Sequence, residues 1–93
     1  MTKLTFEQSE FLEELYRENF QVLLDYASAN LPVDLATEVV QETFTLASEQ
    51  VEKLMRHPKP MGWLVKTVKN KNMWRLNKML LKNQWTTHEI KWQ

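Results

Sequence analysis

The side chains best suited to bind another molecule lie in the basic and aromatic stretch between Trp63 and Lys82. Lysine and arginine neutralise phosphates, and aromatic rings stack on unpaired bases for about 1–3 kcal/mol each. At 100° per residue the basic side chains share one face of a helix, with tryptophans alongside. These residues are Lys71, Arg75, Lys78 and Lys82, with Trp63 and Trp74 beside them. The stretch predicts binding of a polyanion, for which DNA is the obvious candidate.

A second polar stripe, in the segment before this one, is acidic. Residues 1–52 hold eleven carboxylates against Lys3 and Arg17, whereas residues 53–93 hold ten lysines or arginines against Glu89. Such asymmetry favours a basic surface for a polyanion and a separate acidic surface for a different partner. Two solvated helix faces of opposite sign, or a molecule that stacks on itself head to tail, remain open alternatives.

The tryptophans have a structural alternative as well. Either Trp63 or Trp74 could cover the edge of the core instead of stacking on bases, because large aromatic side chains are usually well buried. For Trp85 and Trp92 we favour packing of the C-terminal tail.

Catalysis is not predicted. His57 and His88 are isolated, cysteine is absent, and there is no glycine-rich phosphate loop. No grouping of histidines and carboxylates has metal-ligand spacing. We therefore expect no enzyme, no cofactor and no metal.

Length and composition predict one all-α domain. The chain has 93 residues, one glycine and many straight side chains such as Leu, Lys, Glu and Gln, which favour helices. The N-terminus lacks the apolar core of a signal peptide, and the apolar runs are far shorter than the ~18 residues needed to span a bilayer. We expect a cytoplasmic protein with no membrane association.

Three main helices with short loops should form a small bundle. Thr5 and Gln8 have the form of a capping box, and the first helix runs to about Ala29. Asp34 is expected to cap a second helix that extends to Leu54. The apolar stripes are assigned to the core: Leu12, Tyr16, Phe20, Leu23 and Ala27 on the first helix, and Ala36, Val40, Phe44, Ala47, Val51 and Leu54 on the second.

A proline loop separates the third helix from the second. Residues 57–60, His-Pro-Lys-Pro, cannot be helical throughout, so the third helix opens at Met61 and ends near Lys82. Its core face carries Val65, Val68, Asn72, Leu76 and Met79. Residues 83–93 have little periodicity and are expected to form a loosely ordered tail.

Three segments together resemble region 2 of bacterial RNA polymerase sigma factors, closest to the extracytoplasmic-function type of the sigma-70 family. Leu35 to Ala47, LATEVVQETFTLA, is similar to the family pattern of an acidic residue, two apolar residues, Gln-Glu and a following Phe. Pro60 to Lys78, PMGWLVKTVKNKNMWRLNK, keeps the proline, the Trp-Leu pair and the Asn seven residues after the Trp. FLEELYRENFQVLLDYA, at residues 11–27, resembles the first family helix. The resemblance covers about residues 6–82, and we expect residues 1–82 to form the domain.

The resemblance implies two partners. Region 2 binds the clamp helices of the largest subunit of core RNA polymerase, and it opens the promoter by holding a flipped base of the non-template strand at the −10 element. An anti-sigma factor is a further partner that the resemblance allows. The implied polymerase-binding residues are Glu38, Gln41, Glu42 and Thr45, and the implied DNA-binding residues are Trp63, Lys66, Asn70, Lys71, Trp74, Arg75 and Lys78.

The chain also departs from the family. Trp74 and Asn77 stand where the family usually has an acidic residue and an arginine three residues later, so promoter preference is not transferable. The helix-turn-helix domain of region 4 is not expected within these residues. The alternative function is a helical protein–protein adaptor, or a self-associating module, with no DNA role.

Overall fold

A computed structural model describes the backbone of residues 3–92 and the side chains of residues 3–80. This part of the chain forms four helices and no strand, which confirms the prediction of a small all-α bundle. The elements are α1 (Phe6–Ser28), α2 (Val33–Glu49), α3 (Val51–Met55) and α4 (Pro60–Trp92). Helices α1, α2 and α4 pack against one another, and the short α3 contacts all three of them.

The start of α1 is the predicted capping box. The Thr5 hydroxyl accepts a hydrogen bond from the Gln8 amide nitrogen at 3.1 Å, and the Thr5 amide nitrogen donates to Gln8 Oε1 at 3.0 Å. These bonds satisfy backbone donors that a helix start leaves without partners. The helix ends at Ser28, beside the predicted end at Ala29.

The second predicted helix differs from the structure at both ends. Its cap position is Pro32, and Asp34 lies inside the first turn. There the Asp34 carboxylate interacts favourably with the positive end of the helix dipole but does not cap the helix. The helix stops at Glu49 because Gln50, with φ −115° and ψ 29°, leaves the helical conformation. The redirected chain buries Val51 and Leu54 in α3, so tertiary packing outweighs local helix propensity at this point.

The final helix begins at Pro60, whose missing N–H costs nothing at the first helical position. In the loop before it, the Lys59 amide nitrogen donates to Nδ1 of His57 at 2.9 Å, so His57 supports the loop. The helix passes the predicted end near Lys82 and continues to Trp92. The side chains of residues 81–93 lie outside the described part, and so do the predictions for Lys82, Trp85 and Trp92. The loosely ordered tail at residues 83–93 stays a prediction.

The core lies between the three long helices. Its fully buried large side chains include Leu23 on α1, Val39 and Val40 on α2, and Leu64 and Val68 on α4. All three predicted core aromatics are less buried than expected, because Phe20 and Phe44 are only partly covered and Tyr16 is 43% exposed. Asn72, predicted on the core face, is buried and donates from Nδ2 to the Ala27 carbonyl at 3.1 Å, which ties α4 to the end of α1.

Leu23→Ala should destabilise the protein far more than Val22→Ala, although the two residues are neighbours on α1. Leu23 is fully buried, and truncating a buried leucine costs about 2–5 kcal/mol. Val22 is exposed, so its truncation should change the free energy of unfolding by about 0.5 kcal/mol or less. Urea denaturation followed by circular dichroism measures both values, and equal stability of the two variants would contradict the core assignment.

Candidate functional site

The acidic and basic stripes meet along the contact between α2 and α4. We call the four residues that join them, Glu38, Glu42, Lys71 and Arg75, the α2–α4 seam. Nη2 of Arg75 donates to Oε2 of Glu42, and Nη1 of Arg75 lies 3.6 Å from Oε1 of Glu38. Nζ of Lys71 lies 3.6 Å from Oε1 of Glu42. Each oxygen of the Glu42 carboxylate therefore faces its own cation.

Helix periodicity explains why these side chains meet. Leu64 and Val68 point into the core, so Lys71 and Arg75, each seven residues further on, lie along the same side of α4. Glu38 and Glu42 are four residues apart on the facing flank of α2. Like charges at this spacing repel along each helix, and the opposing helix supplies the counter-charge. The seam thus pairs part of the acidic stripe with part of the basic stripe within one molecule.

This arrangement corrects the prediction that the stripes form separate surfaces. The predicted polymerase-binding residues Glu38 and Glu42 contact the predicted DNA-binding residues Lys71 and Arg75. The Arg75 side chain is only 19% exposed, so little of it faces solvent. Sequence periodicity identified both faces, but it does not define how α4 is rotated about its own axis relative to α2.

The rest of the basic stripe stays open to solvent. Lys66, Asn70, Trp74 and Lys78 recur every four residues and are all exposed. Trp74 is 60% exposed, and Nζ of Lys78 lies 4.9 Å from the centroid of its ring, within cation–π range. Trp74 therefore does not cover the core. Trp63 does pack against the core edge, which was the structural alternative for that residue.

Two shallow grooves flank the Trp74 ring. One, of about 350 Å³, is lined by Glu42, Asn70, Lys71, Trp74 and Arg75. The other, of about 470 Å³, is lined by Leu35, Glu38, Trp74, Arg75, Lys78 and Met79. Trp74 is therefore accessible beside the seam, where both cationic and anionic side chains line the grooves.

The remainder of the acidic stripe lines a third groove, of about 530 Å³. Gln41 and Thr45 are exposed there, together with Glu49, which was not among the predicted site residues. The Thr45 hydroxyl donates to the Gln41 carbonyl at 3.0 Å, so its proton is used within the helix. Gln41 and Thr45 point to solvent, whereas Glu42 turns toward α4.

Tyr16 is a surface feature that sequence reasoning missed. Its ring stacks on Phe20 with centroids 4.9 Å apart and forms an edge-to-face pair with Phe44 with centroids 4.8 Å apart. The pattern assigned Tyr16 to the core, but the residue lies at the margin of the α1 stripe. The hydroxyl of Tyr16 could have indicated its exposure, because a tyrosine at the margin of a core tends to keep this group in water.

The described residues contain no candidate metal site and no candidate membrane-spanning helix. Within residues 3–80 no group of three or more His, Asp or Glu side chains could hold a metal ion. In the same part of the chain, no helix combines the length and apolarity needed to cross a membrane.

Comparison with models of known protein families, with curated proteins and with solved structures finds no match. The protein is therefore described here by its structure. It is a small all-α bundle with a neutralised charged seam between α2 and α4, next to an exposed basic and aromatic stripe.

Removing Glu42 and Arg75 singly and together should reveal a favourable coupling energy. A partly exposed ion pair contributes about 0.2–1 kcal/mol, and the low exposure of Arg75 favours the upper end of that range. A double-mutant cycle with alanine, measured by urea denaturation, gives the coupling. The matched control is the exposed pair of Glu13 and Arg17, for which about 0.3–0.5 kcal/mol is expected. A seam coupling of zero would contradict the ion pairing.

Proposed function

We propose that this chain is a sigma factor region 2 domain, which binds core RNA polymerase and holds unpaired promoter DNA of the −10 element during transcription initiation. The exposed Trp74 ring, with Lys78 beside it, is the observation that carries the proposal. A large aromatic ring that the fold leaves uncovered, within a basic stripe, is what stacking on an unpaired base requires. The order and spacing of the sigma-like motifs support the same function.

The nucleic-acid part of the proposal rests on α4. Lys66 and Lys78 are exposed on either side of Trp74 along the helix, where each can neutralise a phosphate of a bound strand. Asn70, one turn before Trp74, offers an amide that can both donate to and accept from a base edge. Trp63 has a supporting role here, because its contact with the core positions the start of α4.

The polymerase part of the proposal rests on α2. Glu38, Gln41 and Thr45 are exposed along one groove, and Glu42 joins them with the part of its carboxylate that the seam leaves accessible. An acidic groove of this kind suits a basic helical partner. In the family, the clamp helices of the largest polymerase subunit are the partner. An anti-sigma factor would compete for the same surface. The proposal places the protein in the cytoplasm, where polymerase and promoters are.

A helical adaptor without a DNA role is the second candidate, and the seam itself favours it. Lys71 and Arg75 are already paired with carboxylates, so they offer less charge to a polyanion than the sequence suggests. Binding experiments with single-stranded DNA separate the two candidates.

Trp74→Ala should weaken binding of a labelled single-stranded oligonucleotide that carries a −10 sequence by roughly 5- to 150-fold. This range corresponds to the loss of about 1–3 kcal/mol of base stacking. Fluorescence anisotropy measures the dissociation constant. Met73→Ala is the matched control, because Met73 is an exposed residue next to Trp74 on α4 and should bind DNA as wild type does. Equal affinity of both variants would favour the adaptor.

Glu38→Lys should weaken binding to a clamp-helix fragment of the largest polymerase subunit by about tenfold or more, because it sets a like charge against a basic partner. Glu14→Lys makes the same charge change on an exposed position of α1 and should leave this binding intact. Titration calorimetry gives both affinities. If Glu38→Lys binds the fragment as tightly as Glu14→Lys does, the acidic face of α2 is not the polymerase contact.

A further inference from the structure

One side of the bundle carries exposed apolar side chains that the proposed function does not use. Val22 and Tyr26 lie one turn apart on α1, and Met73 and Leu80 lie two turns apart on α4. Val22, Met73 and Leu80 are each at least half exposed, and Tyr26 is exposed as well. We call these four residues the α1–α4 face. Large apolar side chains that cluster on one side of a molecule, in contrast to those scattered singly, indicate an interaction surface.

The contact between α1 and α4 brings these residues together. Asn72 donates to the Ala27 carbonyl at 3.1 Å, so the two helices lie side by side at this level. Tyr26 and Met73 are the chain neighbours of the two bonded residues and therefore lie at the same height of the bundle. The other two members of the face extend this apolar strip by one turn on α1 and by two turns on α4.

The α1–α4 face is separate from the seam. Leu64 and Val68 point into the core, and at 100° per residue Met73 and Leu80 lie on one side of this buried stripe, whereas the seam residues of α4 lie on the other. Trp74 belongs to the seam side as well, because both grooves beside it are also lined by residues of α2.

Charged side chains of opposite sign border the two edges of this face. Glu18 is exposed one turn before Val22 on α1, and Lys69 is exposed one turn before Met73 on α4. Neither of them forms an ion pair within residues 3–80. Such a surface is complementary to a copy of itself that is rotated by 180° about an axis parallel to the helices, because α1 of each copy then meets α4 of the other.

We propose that the protein forms a symmetric dimer in which the α1–α4 faces of two copies pack against each other, with Glu18 of each copy paired to Lys69 of the other. The apolar side chains in the middle are removed from water, and the two ion pairs fix the register of the copies. The formal net charge of zero leaves no overall repulsion between them. This interface closes after two copies, unlike head-to-tail stacking, which continues from one copy to the next.

Dimerisation does not depend on the proposed function, because it leaves Trp74 and the acidic side of α2 open in both copies. The two can therefore fail separately. A protein that binds single-stranded DNA but stays monomeric would remove the dimer alone. A dimer that binds neither DNA nor the clamp-helix fragment would remove the proposed function alone.

Sedimentation equilibrium of the full chain tests the dimer at concentrations from about 10 μM to 1 mM, the range expected for an interface with few apolar side chains. The average mass of the wild-type protein should rise with concentration toward that of two chains. Val22→Glu places an unpaired charge in the apolar strip and should weaken association by about tenfold or more. A wild-type protein that stays monomeric at the highest concentration would overturn the proposal.

Val33→Glu is the matched control for Val22→Glu. Val33 is an exposed valine in the first turn of α2, outside the α1–α4 face, so this variant should associate as the wild-type protein does. Equal association of the two variants would show that the copies meet elsewhere and would overturn the proposal. Circular dichroism establishes that each variant is folded.

A charge exchange tests the pairing between copies. Glu18→Lys and Lys69→Glu should each weaken self-association by roughly 2- to 30-fold, because each dimer loses two exposed ion pairs. An equimolar mixture of the two variants should dimerise as the wild-type protein does, since every pair again joins a lysine to a glutamate. Lys53→Glu, which changes an exposed lysine of α3, should not restore association when it is mixed with Glu18→Lys. Restoration by Lys53→Glu, or none by Lys69→Glu, would overturn the proposal.

Discussion

The rotation of α4 about its own axis is the constraint on which the surface of this protein depends. Leu64 and Val68 must be buried, and Asn72 donates to the Ala27 carbonyl, so this face of α4 can only point inward. Lys71 and Arg75 then necessarily lie against α2, while Trp74 is left outside. The charge pairing in the seam and the exposed aromatic ring therefore have a common cause, which is the packing of apolar side chains.

Local sequence patterns predicted the helices well and the boundaries between them less well. The capping box at Thr5 involves bonds within four residues, so sequence alone identifies it. The break at Gln50 has no glycine or proline to signal it, because the burial of Val51 and Leu54 against the rest of the bundle determines where the chain bends. The same limit applies to Pro32, whose role as the helix boundary displaced Asp34 from the cap position.

For the candidate site, the sequence identified the residues but not which of them contact one another. Periodicity gives the face of each helix, and repulsion between like charges four residues apart predicts that something neutralises them. It does not say whether the counter-charge comes from a partner or from a neighbouring helix. The structure pairs Glu42 with Arg75 across a sequence separation that no periodic pattern covers. The different environments of Trp63 and Trp74 follow from tertiary packing in the same way.

Under the proposed function, the neutralised seam affects which form of DNA this surface binds. Duplex DNA offers high charge density but keeps its bases stacked, so it would gain only from cations that are free to meet its phosphates. Lys71 and Arg75 are engaged, which weakens that attraction. An unpaired strand adds about 1–3 kcal/mol for a base stacked on Trp74, independently of charge. Under the proposed function, pairing within the seam therefore disfavours duplex more than it disfavours an opened strand, and this is the discrimination that a promoter-melting domain needs.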